Sequence, residues 1–83
     1  MVNFVPDNYF NQGCVYVKKA KYDKAINEFL KCVESDPIYL DAYYNLAFCY
    51  QQIGKKNLAC EIWNKLKNIG QKQGEYLFEE NCR

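Results

Sequence analysis

Shifted by 34 residues, the sequence lies over itself, with residues 6–39 falling on residues 40–73. Identities occur at Asp7/Asp41, Tyr9/Tyr43, Asn11/Asn45, Tyr16/Tyr50, Lys21/Lys55, Ala25/Ala59 and Lys31/Lys65. Phe10/Tyr44, Gly13/Ala47, Ala20/Gly54 and Phe29/Trp63 are close in character. A period of this length marks a repeat array, in which one supersecondary unit cannot bury its apolar face alone and so stacks on the next. The chain is therefore expected to have no single central core. It should bury side chains within each unit and between neighbours.

Each unit reads as two helices. In the first, Pro6-Asp7 predicts a rigid entry with a capping carboxylate, followed by Tyr9, Gly13 and Tyr16 at helical spacing as far as Lys18. A turn near residues 19–21 leads to Ala25, Ile26, Phe29, Leu30 and Val33, an i, i+3, i+4 stripe that marks a second helix. Asp36-Pro37 ends it, because proline disfavours helix at the residue before it and donates no backbone hydrogen bond. The second unit repeats the scheme. Tyr43, Leu46, Ala47 and Tyr50 lie on its first helix, Gly54 breaks that helix, and Leu58, Ala59, Ile62, Trp63 and Leu66 lie on its second. Gly13 and Ala47 are small where the paired helices should cross, and Ala25 and Ala59 are small opposite them, which leaves room for the aromatics alongside. Residues 74–82 predict a short capping helix or the opening of a third unit. Glu75, Glu79 and Glu80 would form its wet side, and Leu77 would stand where Tyr9 and Tyr43 do. With Gln71 in place of proline the preceding helix could run on into this segment, although Gly70 and Gly74 each oppose that by about 1 kcal/mol.

This pattern resembles the tetratricopeptide repeat family, whose mark is an aromatic, Leu-Gly, Tyr, Ala, an aromatic and Pro within 34 residues. The first unit carries Tyr9, Gly13, Tyr16, Ala25, Phe29 and Pro37, departing at Gln12. The second carries Tyr43, Leu46, Ala47, Tyr50, Ala59 and Trp63, departing at Gln71. The resemblance implies an all-α superhelix and a non-enzymatic module that grips a protein or peptide in a concave groove lined by the first helix of each unit. It places Asp7, Phe10, Asn11, Cys14, Val17 and Lys18 in that groove, with Asp41, Tyr44, Asn45, Phe48, Gln51 and Gln52 from the second unit. Asn11 and Asn45 would hydrogen-bond a peptide backbone, since an amide donates and accepts at once. Phe10, Tyr44 and Phe48 would be apolar anchors, with core packing as the alternative for Phe10 and Phe48. The family's clamp for acidic chaperone tails is not expected. Its two lysines, arginine and two asparagines would fall here on Phe10, Cys14, Asn45, Glu75 and Glu79, so that one asparagine alone agrees, and two carboxylates would repel a carboxylate ligand. A further expectation is self-association into a homodimer through an uncovered repeat edge, because two units bury little.

Composition narrows the remaining classes. A net charge of +1 from eleven cations and ten anions offers no overall field toward nucleic acid or an anionic membrane. Histidine is absent, serine occurs once, at Ser35, and there is no GxGxxG or GxxxxGK loop, so neither a hydrolytic triad nor a phosphate loop is expected, and no enzyme or cofactor. Cys14, Cys32, Cys49, Cys60 and Cys82 have no CxxC spacing and no histidine beside them. They read as free, buried small hydrophobes rather than a metal site or a disulfide framework, with Cys14 or Cys82 reactive only if a lysine lies close. Residues 1–6 have neither a basic n-region nor an apolar h-region, which reads as a cytoplasmic protein.

Overall fold

The computed structural model describes residues 5–82, in which the chain forms five α-helices. They are α1 (Val5–Lys18), α2 (Tyr22–Ser35), α3 (Leu40–Gln52), α4 (Lys56–Asn68) and α5 (Lys72–Asn81). Each helix contacts the next along the chain, giving an extended slab of 40 × 29 × 16 Å. That is the all-α hairpin array read from the sequence, and no strand occurs among the described residues.

Three of the four turns share one device. After α1, α3 and α4 a residue with positive φ reverses the chain: Ala20 at 56°, Gly54 at 80° and Gly70 at 89°. At each, one backbone N–H returns to the carbonyl five residues back, Lys21 to Tyr16, Lys55 to Tyr50 and Gln71 to Leu66, all within 2.8–2.9 Å. The residue before donates to the carbonyl three back, closing the paired bonds that satisfy a helix C-terminus. Gly70 thus stops α4, and the continuous helix that Gln71 left open does not form. The turn after α2 is built differently. Asp36 is extended, its N–H bonds the Cys32 carbonyl at 2.9 Å, and its Oδ1 accepts the Ile38 N–H at 3.2 Å.

The buried side chains form two adjoining clusters. Ala25, Ile26, Phe29, Cys32, Ala42, Leu46 and Cys49 join α2 to α3, while Ala47, Ala59, Trp63 and Leu66 join α3 to α4, and Tyr50 and Ile62 touch both. The crossing geometry follows the small residues. A Cβ on Gly13 would lie 2.6 Å from the Phe29 ring, so the ring occupies the space that a side chain would need. In the second unit Ala47 lies fully buried in one cluster with Trp63. The repeat also carries its own surface clasp, with Lys31 Nζ 5.8 Å from the Tyr9 ring centre and Lys65 Nζ 5.8 Å from that of Tyr43. Such a cation over an aromatic face contributes about 0.5–1 kcal/mol when exposed.

Several expectations are corrected. Asp7 lies in the first turn of α1, but its carboxylate accepts the Tyr39 hydroxyl at 2.7 Å instead of capping the helix. Leu30 and Leu58, assigned to buried stripes, are about two-fifths exposed, because α2 and α4 bury only the stripe facing their neighbours. Not all five cysteines are free. Cys32 and Cys49 are buried thiols and Cys14 is half-buried, but Cys60 and Cys82 form a disulfide with Cα atoms 5.7 Å apart, tying α4 to the end of α5.

The last helix does not copy α3. Ala42 is fully buried against the first cluster, whereas its counterpart Tyr76 is 63% exposed. The close approach in α5 falls instead at Gly74, where an added Cβ would lie 2.5 Å from the Leu66 Cβ. Leu77, Phe78 and Cys82 continue that face against Trp63 and Leu66. Lys67 completes the contact, with its Nζ 2.8 Å from Glu79 and 5.0 Å from the Phe78 ring centre.

Ala20→Gly should raise stability by about 0.5–1 kcal/mol in urea denaturation, since only glycine adopts positive φ without cost, and Gly70→Ala should lower it by a similar amount. Reducing the Cys60–Cys82 bond should cost about 3 kcal/mol, as expected for opening a loop of this size. The emission of Trp63, the one tryptophan and 3% exposed, reports the change, and Cys82→Ser should be as unstable as the reduced protein and indifferent to reductant.

Candidate functional site

The residues assigned to a groove lie on α1 and α3, and the structure brings the two sets side by side. The Cys14 thiol on α1 feels the charges of both Lys18 and Asp41, and burial, the largest influence, pushes its pKa up. Within this surface the side chains divide into three groups.

The first group is partly spent on packing. Phe10 is half-buried, with its ring centre 5.8 Å from Phe29 and 5.2 Å from Tyr39, and Cys14 and Val17 also pack on the first cluster. Tyr39 binds this corner further through its hydroxyl, which donates to Asp7, and that hydrogen bond raises the phenol pKa strongly. Tyr39 and Tyr22 are contacts that the repeat comparison missed. Tyr39 has Gln73 at its second-unit position and Val5 at the preceding one, so a period search finds nothing there.

The second group makes hydrogen bonds within the chain. Tyr44 is half-buried and its hydroxyl donates to Gln71 Oε1 at 3.4 Å, so the residue replacing the expected proline joins α3 to the start of α5. Asn45 Nδ2 donates to the Asp41 carbonyl at 2.8 Å in its own helix, which leaves its Oδ1 to accept from outside.

The third group is open. Asn11, Lys18, Asp41, Gln51 and Gln52 are exposed, and Phe48 is 40% exposed. The Phe48 ring lies edge-to-face with that of Tyr22, 6.1 Å between centres. Its first-unit counterpart is the smaller Cys14 and its α5 counterpart is Cys82. The disulfide therefore joins the pair of positions held by Ile26 and Phe48 one repeat earlier, the same 22 residues apart. That correspondence was present in the sequence, but it emerges only once helix B of one unit is known to face helix A of the next.

None of this forms a nucleophile. Burial pushes the Cys32 and Cys49 thiols up to about 11, Cys14 moves the same way, and Cys82 is bonded. A cleft of about 420 Å³ between α4 and α5, beside the disulfide, is lined by lysine, asparagine and glutamate side chains with Phe78, and no buried charge points into it. Among the described residues no group of three or more metal-ligating side chains gathers, and no helix is long and apolar enough to cross a membrane.

Residues 9–54 match a family model described as TPR repeat, and residues 41–69 match one described as tetratricopeptide repeat. No curated protein and no solved structure matches the chain. The first match alone spans more than half of the sequence, and its helices, small-residue crossings and turns are those described above. The chain belongs to the tetratricopeptide repeat family, whose repeats are generally protein-interaction modules and typically non-enzymatic scaffolds.

Proposed function

We propose that the protein binds an extended peptide segment of a partner protein across the faces of α1 and α3. The observation that carries this reading is Phe48, a large aromatic ring on a first-of-pair helix that is 40% exposed although its ring packs against Tyr22. An aromatic left open beside exposed amides is the chemistry of an interface anchor, because it supplies flat apolar area at little entropic cost. Asn11 is exposed and Asn45 keeps a free carbonyl oxygen, so the two amides can pair with successive groups of a peptide backbone. Phe10 and Tyr44 flank them as half-buried walls whose rims remain accessible. Asp7 and Asp41 mark one side of this face and Lys18 the other, so a ligand meets carboxylates at the helix starts and a cation at the far end. Glu75 is exposed and Glu79 is held by Lys67, an arrangement that disfavours an acidic C-terminal tail.

Peptides selected from a random display library on the immobilised protein test the reading. Phe48→Ala should weaken their binding by about 2 kcal/mol, and Asn45→Ala or Asn11→Ala by about 1–2 kcal/mol, through lost apolar contact and unpaired backbone groups. The melting temperature of Phe48→Ala should stay close to that of the parent. Binding that survives all three substitutions would reject the α1/α3 face as the site.

A further inference from the structure

The net charge of +1 conceals an uneven distribution of charge among the turns. The turns after α1 and α3 both lie at one edge of the slab, since the helices alternate in direction. They carry Lys18, Lys19, Lys21, Lys24, Lys55 and Lys56 against a single acid, Asp23. Among the described residues the ion pairs are Lys31–Glu28 and Lys67–Glu79, so none of these six cations forms a salt bridge there, although Lys24 Nζ lies 5.9 Å from the Tyr16 ring centre. At the opposite edge the α2–α3 turn carries Glu34, Asp36 and Asp41 with Asp7 beside it, and residues 34–41 contain no cation; the α4–α5 turn at the same edge holds Lys65, Lys67 and Lys72, so the acidity is local to the α2–α3 turn.

Each edge also has a complementary shape. Between the two basic turns lies a cleft of about 370 Å³ lined by Ala20, Lys21, Tyr22, Asp23, Lys24 and Ile53, so its floor is apolar and its rim cationic. The acidic turn presents Ile38, 79% exposed and the most exposed large apolar side chain of the described residues. That turn is held rigidly. The Ile38 N–H donates to Asp36 Oδ1, the Tyr39 N–H to the Asp36 carbonyl at 3.1 Å and the Tyr43 hydroxyl to the Pro37 carbonyl at 2.9 Å. An apolar knob fixed in advance loses little freedom on docking.

We propose that the protein associates with further copies of itself head to tail, the Ile38 turn of one copy seating in the Lys21–Ile53 cleft of the next. Seating it would bury the isoleucine among apolar atoms and bring Glu34 and Asp36 against unpaired lysines. The two surfaces differ and lie at opposite edges, so the contact is heterologous and leaves a free knob and a free cleft at the ends of every assembly that does not close into a ring. Its knob, Ile38, and its cleft residues, Lys21 and Ile53, lie outside the side chains assigned to the α1/α3 face, so it stands or falls without the peptide reading.

Sedimentation of the full chain across the micromolar to millimolar range tests it. Association should increase with concentration and weaken as salt is raised, because the pairing charges are exposed. Ile38→Ser should raise the dissociation constant about tenfold or more, and so should Lys21→Glu, while Asn64→Ala, at an exposed position of α4, should leave it unchanged. The decisive measurement mixes the first two variants. Ile38→Ser retains its cleft and Lys21→Glu retains its knob, so the mixture should form one-to-one dimers and stop there. A monomer throughout the range, association untouched by either substitution, or a mixture no more associated than its components would each overturn the proposal.

Discussion

An aromatic ring from the second helix of each pair, seated on the smallest residue of the first, is the contact on which the rest of this structure depends. In the first unit it is Phe29 over Gly13, with no room for even a Cβ, and in the second it is Trp63 buried in the same cluster as Ala47. The trade is consistent with packing at constant density. The glycine costs roughly 1 kcal/mol of helix propensity, and the buried ring returns several times that through area removed from water. Because the ring fixes the separation and tilt of each hairpin, the neighbouring alanines at 25 and 59 become fully buried. The outer faces of α1 and α3 are left facing the same side.

The features legible in the sequence are those that this contact repeats. The hairpins, the turns at residues 20 and 54 and the alanine positions all recur at 34 residues, and all appear in the structure as read. The features that escaped are those that occur once. Tyr39 links α1, α2 and α3 from a position with no counterpart, so periodicity could not mark it. The Cys60–Cys82 bond uses positions that recur, but as isoleucine and phenylalanine, and an odd cysteine count hid the pairing. The exposure of Leu30 and Leu58 escaped because an apolar stripe wider than one interface reads the same whether one or both of its margins are covered. The proposed groove was legible as a face, since its residues share the first helices. How each side chain on that face is employed was not, because this depends on contacts such as Phe10 with Tyr39 and Tyr44 with Gln71.

The short fifth helix shows how a repeat is altered where its next partner changes. In α3 the alanine at position 42 allows close approach to α2, but the same position in α5 is Tyr76, too large for that role. The small residue has moved two places back, to Gly74, and the contacting face turns with it, from Ala42, Leu46 and Cys49 to Gly74, Leu77, Phe78 and Cys82. The disulfide and the Lys67–Glu79 pair then fix a helix of only 10 residues that buries a single glycine outright. A helix this short is marginal alone, and these two ties make up for the buried area it lacks.

Repetition also separates packing from recognition on the same helix. Tyr9 and Tyr43, or Ala25 and Ala59, match because each unit must solve the same crossing problem. On the outward face of α1 and α3 the pairs Cys14/Phe48, Val17/Gln51 and Lys18/Gln52 do not match, although the backbone beneath them does. Folding places less demand there, since Lys18, Phe48, Gln51 and Gln52 are exposed, although Cys14 and Val17 also pack on the first cluster. On the proposed reading the difference belongs to the ligand, whose side chains vary along its length while its backbone does not. The pair that would meet backbone, Asn11 and Asn45, is the same in both units, and the positions that would meet side chains change from one to the next. An array with identical faces would bind in any register, whereas on that reading one large ring at position 48 and a small thiol at position 14 would give a bound segment a single preferred register.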